Sequence, residues 1–239
     1  MRHIPNMITS LNLASGFLSI IFIIKGNTAA ACWLVLAAMV FDFLDGFASR
    51  ILNAYSDLGK ELDSLADVVS FGVAPGIIIY STGIFFSDNN VYSIIYAVIS
   101  AFYAVCAGLR LAKFNIDTSQ SVVFRGLPTP AAALSVISLC LAAAYSDNFF
   151  VTLFTKYQFL TIFFVIIVSL LMVSNLPMIS LKIKNLKIKG NEARYIMAAL
   201  SIIFVAVFGA RGFALIIPAY IILSLAWAPF LKNEISRHP

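Results

Sequence analysis

The sequence predicts an all-α, polytopic transmembrane bundle of about eight helices with both termini on the cytoplasmic side. Three observations carry that expectation. Hydrophobic residues make up 61% of the chain and charged residues only 11%, whereas about a quarter of a soluble domain is charged. Apolar runs of about 20 residues, the length needed to cross hydrocarbon, recur along the whole chain. The basic residues gather in alternate loops, as expected when one side of the membrane retains them.

The runs lie near 8–24, 28–48, 64–86, 92–112, 128–146, 157–178, 194–210 and 212–231. In the first, Asn6, Thr9 and Asn12 recur at near-helical spacing. They either hydrogen-bond a neighbouring helix or face a site. Lys25 and Asn27 interrupt the small residues before Ala29, Ala30 and Ala31, so this run is expected to stay as a helix and not be cleaved as a signal peptide. The second run ends, and the third begins, in an acidic stretch. The fourth ends in Arg110 and Lys113, and the fifth follows a Gly126-Leu127-Pro128 turn preceded by Arg125. The sixth leads into Leu181 to Arg194, where apolar and basic residues alternate; that stretch either lies along an anionic lipid surface or sets topology. No long linker, soluble insert or internal repeat separates the runs, so a single membrane domain over 1–239 is expected.

Loop charges orient the bundle. One side collects Arg2, Arg50, Lys60, Arg110, Lys113, Arg125, Lys182, Lys184, Lys187, Lys189, Arg194, Lys232 and Arg237. The other holds Lys25, Lys156 and Arg211, a division of 13 to 3. The richer side should be cytoplasmic, which places both termini there and makes the helix number even; six remains an alternative. The net charge of +5 suits acidic headgroups, and no aromatic-and-basic pattern points to nucleic acid. Cys32, Cys106 and Cys140 lack metal or disulfide spacing and read as small core residues. His3 and His238 lie at the chain ends and are poor ligand candidates.

The informative stretch runs from Asp42 to Asp67. Asp42 and Asp45 stand three apart at the end of one helix, and Asp63 and Asp67 four apart in the next, so each pair shares a helix face. Carboxylates beside an apolar run need compensation. Neither Arg50 nor Lys60 neutralises four of them, whereas divalent cations would. Hard oxygen ligands favour Mg²⁺, Mn²⁺ or Ca²⁺, and such ions commonly complete their shell with substrate phosphate oxygens. At about 100° per residue, Gly46 lies about 40° and Ser49 about 20° from Asp42, with Arg50 about 80° around. A glycine on that face admits a ligand close to the backbone, and an arginine beside it suits a phosphate. Gly59 is read as the turn into the third helix. The competing reading is a salt-bridge network at a helix end, which two acids would favour and four with this spacing do not.

This stretch resembles the signature of the CDP-alcohol phosphotransferase family, D-x-x-D-G-x-x-A-R-x8-G-x-x-x-D-x-x-x-D. Asp42, Asp45, Gly46, Arg50, Gly59, Asp63 and Asp67 fall in register. Ser49 replaces the alanine, is small enough to preserve the fit, and its hydroxyl is within reach of a nucleotide. The resemblance implies a helical membrane fold, usually a homodimer, with Mg²⁺ or Mn²⁺ as cofactor, two ions per site. Asp42, Asp45 and Asp63 would hold the metals, and Asp67 would complete the second metal site and act as general base. Asp42, Asp45, Gly46, Ser49, Arg50 and Gly59 would line the CDP. Within the family, Gly59 to Gly76, Phe124 to Ala133, Ser174 to Lys182 and the opening IPNMITSLNLASG resemble the branch that joins CDP-diacylglycerol to L-serine.

A serine acceptor brings a carboxylate that calls for a cation. The loop after the fourth run supplies Arg110, Lys113 and Arg125 for it or for the lipid phosphate, and Arg110 and Arg125 are the candidates for the carboxylate; ordinary topology-setting charge is the equal alternative for either alone. Two rival functions remain at this stage. One is the same chemistry on glycerol 3-phosphate or inositol phosphate. The other is a cation or proton transporter, against which the acids cluster near one membrane face instead of the midplane.

Overall fold

The computed structural model describes residues 3–85, 90–116, 124–145, 157–178, 192–212, 216, 218–224 and 226–227. Of the stretch from Leu181 to Arg194, singled out for its alternating charge, residues 181–191 lie outside them. Helices α1 (Ile4–Ile24) and α2 (Thr28–Ile51) come first, then α3 (Asp57–Asp67), a π turn (Val68–Val73) and α4 (Ala74–Phe85). After these come α5 (Asn90–Ile116), α6 (Thr129–Tyr145), α7 (Gln158–Val173) and α8 (Glu192–Phe208), and the helical residues 216, 218–224 and 226–227. Because α3, the π turn and α4 run as one helix over Asp57–Ile84, the described residues form eight helical rods, as the sequence predicts.

Four of these rods are long and apolar enough to cross a membrane: Ile4–Ile24, Thr28–Ile51, Asp57–Ile84 and Asn90–Ile116. Their outward faces carry large apolar side chains such as Phe17, Trp33, Phe43, Phe47, Phe102 and Val105. Apolar area on that scale, spread over several helices, is not tolerated in water, and the protein is an integral membrane protein. The shorter helices α6, α7 and α8 are also apolar, over Thr129–Ala144, Gln158–Val173 and Tyr195–Phe208. The sixth run ends earlier than predicted, because extended Ser174 follows Val173 and Pro177–Met178 pairs antiparallel with Phe124–Arg125. Gly126, at φ 74°, makes the tight return, its N–H bonded to the Leu176 carbonyl at 2.9 Å.

The first hairpin is built from local signals. Pro5 stands in the first turn of α1, where a missing N–H costs nothing. Gly26, at φ 80°, ends that helix, and the Asn27 side chain caps α2 by accepting from Ala30 N at 3.0 Å. The buried face of α1 is mostly polar or small: Pro5, Thr9, Asn12, Ser15, Gly16 and Ser19. Without a hydrophobic drive between helices in lipid, such residues permit close approach and hydrogen bonding. Gly16 lies so close to Ser70 that an added Cβ would overlap it. Ser19 Oγ donates to the Ala31 carbonyl at 2.9 Å.

The third segment begins seven residues earlier than predicted, at Asp57. Ser56 supplies the reason: it is an N-cap whose hydroxyl accepts from Gly59 N at 3.0 Å. Gly59 therefore lies in the first turn of α3 and is not the turn into it. The chain reverses earlier, around Asn53, which holds a left-handed φ of 47°.

Two buried clusters organise the interior. One joins Cys32, Val35 and Ala38 of α2 to Phe71, Ile78, Ala133 and Ile137. The other joins Tyr103, Cys106 and Ala107 of α5 to Val136, Val165, Met172, Met197 and Tyr220. Cys32 belongs to the first cluster and Cys140 packs against it, a proximity their sequence separation gives no hint of.

Candidate metal and phosphate site

The aspartates converge where α2 and α3 lie beside α1. Asp42 is half-buried near the end of α2, and Asp63 is half-buried in α3. Asp67 is the last residue of α3 and is 8% exposed. One carboxylate oxygen from each of Asp42, Asp63 and Asp67 lies within 4.8 Å of the others. Oxygens bound to one Mg²⁺, Mn²⁺ or Ca²⁺ at about 2.0–2.6 Å are at most about 4–5 Å apart, so the group fits a hard divalent cation. Three carboxylates this close repel strongly in a low-dielectric surrounding unless a cation is shared.

Asp45 follows Asp42 by three residues, yet its position differs. It is 6% exposed, and its Oδ2 accepts a 2.6 Å hydrogen bond from Thr9 Oγ1. The Thr9 hydroxyl also lies 3.0 Å from the Pro5 carbonyl; with one proton to give, it serves the charged and nearer acceptor best. Asp45 is an electrostatic neighbour of Asp67, so all four carboxylates share one environment while three form the tight group.

Helix α1 supplies what the sequence reading left between two alternatives. Asn12 Nδ2 donates to Asp67 Oδ1 at 3.2 Å, and Asn12 itself is fully buried. Its carbonyl accepts from Ser70 Oγ at 3.0 Å. The side chain of Asn6 stands against Gly59, where an added Cβ would meet Asn6 Oδ1 at 2.9 Å. Thr9 and Asn12 thus hydrogen-bond the neighbouring helices α2 and α3 through the aspartates, and Asn6 packs against α3. Their near-helical spacing was the signal; which partner each would meet was not in it.

The π turn starts directly after Asp67. A π turn widens the helix and disturbs its backbone bonding, a feature common at functional sites. Here the Phe71 carbonyl is taken up by the Tyr103 hydroxyl from α5 at 3.2 Å. A second tie, from Asn115 Nδ2 to Ser64 Oγ at 2.7 Å, holds the end of α5 to α3.

The other predicted residues fall as follows. No atom lies within 4 Å of a Cβ built on Gly46, so open space adjoins the carboxylate face. Ser49 Oγ donates locally to the Gly46 carbonyl at 3.1 Å, and Arg50 is exposed at the end of α2. Arg110 is 7% exposed, with its guanidinium 5.0 Å above the Phe114 ring and Asp67 and Asp42 among its electrostatic partners. Lys113 is exposed and donates to the Val173 carbonyl at 3.3 Å, at the end of α7. Arg125 lies in the short strand pairing.

The sequence matches the CDP-alcohol phosphatidyltransferase family over residues 2–173. It is similar to archaetidylserine synthase of Methanothermobacter thermautotrophicus, 40% identical over 146 residues, covering 60% of this chain and 60% of that protein. It resembles the CDP-diacylglycerol–serine O-phosphatidyltransferase of Bacillus subtilis at 40% identity over 139 residues, 58% of this chain and 76% of the relative. The enzyme of the same name from Helicobacter pylori strain J99 is 40% identical over 158 residues, 65% of this chain and 60% of that protein. The chain thus spans about three fifths of the archaeal and Helicobacter relatives. With the family matched over most of its length and the acidic signature gathered into one oxygen-lined site, the chain belongs to the CDP-alcohol phosphatidyltransferase family.

Proposed function

We propose that the protein transfers the phosphatidyl group from CDP-diacylglycerol to L-serine, giving phosphatidylserine and CMP. The observation that carries this reading is the meeting of Asp42, Asp63 and Asp67 within 4.8 Å across two helices. Serine as acceptor is supported by the names of the relatives, an archaetidylserine synthase and two CDP-diacylglycerol–serine O-phosphatidyltransferases.

Asp42, Asp63 and Asp67, with Asp45 beside them, would hold two divalent ions, Mg²⁺ or Mn²⁺. Bound there, the metal supplies charge neutralisation of the pyrophosphate and of the CMP leaving group. Asp67 accepts the proton of the serine hydroxyl as its oxygen bonds to the phosphatidyl phosphorus and the bond to CMP breaks. Asn12 fixes one Asp67 oxygen during this step. Gly46, Ser49, Arg50 and Gly59 line the CDP side, with the open space beside Gly46 admitting the ligand. Arg110, buried next to the cluster, receives the serine carboxylate, and Arg125 and Lys113 are the further cations of this face. Catalysis is then chiefly positioning and fixed charge.

The reading extends to the whole molecule: one membrane domain over 1–239, acting as a homodimer in the cell membrane, with the site and both termini on the cytoplasmic side. The 13-to-3 division of basic residues supports that orientation.

The deciding experiment incubates purified protein with CDP-diacylglycerol and Mn²⁺ or Mg²⁺, offering labelled serine, glycerol 3-phosphate or inositol phosphate in turn. Labelled phosphatidylserine with stoichiometric CMP is expected. A labelled lipid formed only from another alcohol would replace serine as the acceptor, and ion flux in liposomes without CMP release would replace the enzyme by a transporter. Asp67→Asn should lower turnover by about 10²- to 10⁴-fold, the range for loss of a general base, with CDP-diacylglycerol binding retained; near-normal turnover would remove Asp67 from that role.

A further inference from the structure

We propose that Tyr103 of α5 is a positioning residue for Asp67, acting through the π turn that separates this aspartate from α4. The proposal rests on the reading of Asp67 as metal ligand and proton acceptor, and it holds for any acceptor alcohol.

The turn has its cause in the sequence. In an α-helix the Phe71 carbonyl accepts from the N–H of residue 75, and that residue is Pro75. Proline has no N–H to give, and its ring collides with the carbonyl four residues back. The helix answers by widening: over Val68–Val73 it winds as a π turn, and the Ala74 N–H reaches back five residues to the Val69 carbonyl. A helix interrupted in this way is tolerated in a membrane where a neighbouring helix takes up the freed backbone group. Tyr103 does so, its hydroxyl donating to the Phe71 carbonyl at 3.2 Å, with both residues fully buried.

Small residues bring α5 to that carbonyl. A Cβ on Gly72 would stand 3.2 Å from the Ala107 Cβ, and one on Gly76 would stand 3.1 Å from the Ser100 carbonyl. Gly72 and Gly76 are one turn apart, a spacing that lets two membrane helices approach closely. From α1, the Asn12 carbonyl accepts from Ser70 Oγ within the turn at 3.0 Å, and the Asn12 side chain bonds Asp67. The turn is thus fastened twice, to α1 at Asn12 and to α5 at Tyr103.

Asp67 is the residue at which α3 meets this turn. A π turn takes up one residue more than an α turn, and one residue of winding is about 100°. Whatever fixes the turn therefore fixes the direction in which Asp67 projects relative to α4, and with it the meeting of Asp67 with Asp42 and Asp63. Tyr103 acts on the chemistry only through that direction.

The test uses full-length wild type, Tyr103→Phe, Tyr96→Phe, Asp67→Asn, and Tyr103→Phe combined with Pro75→Ala, each purified in detergent. CMP release is measured at saturating substrates, and Mn²⁺ affinity is read from the rise in melting temperature as Mn²⁺ is titrated. Tyr103→Phe should lower kcat and Mn²⁺ affinity each by about 10-fold, the scale for losing a group that orients a metal ligand, with KM for serine within about twofold. Tyr96, two turns earlier on α5, is also buried and donates its hydroxyl to Gln158. Tyr96→Phe should lower the melting temperature to a similar degree and leave kcat and Mn²⁺ affinity unchanged. Pro75→Ala supplies the N–H that position 75 lacks, so the combined variant should regain stability and keep the losses in kcat and Mn²⁺ affinity. Wild-type kcat and Mn²⁺ affinity in Tyr103→Phe, equal losses in Tyr96→Phe, or recovery of both quantities in the combined variant would overturn the assignment. Near-normal turnover in Asp67→Asn would instead overturn the reading of Asp67 on which it rests.

Discussion

Asp45 and Asp67 are both buried, but different neighbours hold them: Thr9 donates to one and Asn12 to the other. Both donors come from α1, so a helix without acids of its own orients the acids of the next two. A carboxylate that must bind metal or take a proton works best with its lone pairs fixed, and a hydrogen bond to a charged group contributes about 1.5–3 kcal/mol. Asn12→Leu should therefore lower CMP release at saturating substrates by about 10- to 100-fold while the protein still folds. A variant with wild-type rates would show that Asp67 needs no such support. The aspartates were legible in the sequence because their spacing and their cost in an apolar chain single them out. Thr9 and Asn12 were half legible, since helical spacing marks a shared face without naming what lies opposite.

At the level of helices, the contact between α1 and the π turn decides how near α1 comes to the site. Gly16 admits Ser70, and Ser70 in turn binds the Asn12 carbonyl. Gly16→Val would force these elements apart, and overpacking of this kind costs about 1–3 kcal/mol. A lower melting temperature and weaker activity are expected together. Gly108→Ala is the control, because no atom lies within 4 Å of its added Cβ, and its melting temperature should be unchanged. Equal stability of the Gly16 variant would mean that α1 is free to shift. The helix boundaries show the same lesson. A hydropathy run marks where a segment is apolar, whereas Ser56 caps α3 before the apolar part begins. The first two turns of α3 are amphipathic and carry Asp63, so the run alone misplaced the start.

For the whole molecule, the bundle encloses a charge cluster that a divalent cation would relieve. An ion that binds only the folded form stabilises it, by about 2.7 kcal/mol at a hundred times its dissociation constant. Stripping the protein with a chelator should lower its melting temperature and abolish CMP release, and adding Mn²⁺ or Mg²⁺ should restore both. Thermal stability indifferent to metal would speak against a shared cation. Orientation is checked by thiol labelling in intact cells with an impermeant reagent. Lys25→Cys should react and Lys60→Cys should not; the reverse result would turn the bundle over.

The sequence by itself determined the class of this protein, a helical membrane bundle, and singled out the acids that the structure brings together. Both are written in local quantities: the length of apolar runs, and the spacing of acids that such runs disfavour. The tertiary structure alone decided which acids form the tight group, and that α1 reaches Asp45 through Thr9 and Asp67 through Asn12. Those are contacts between residues distant in sequence, and they depend on how helices rotate and approach, which no single helix specifies.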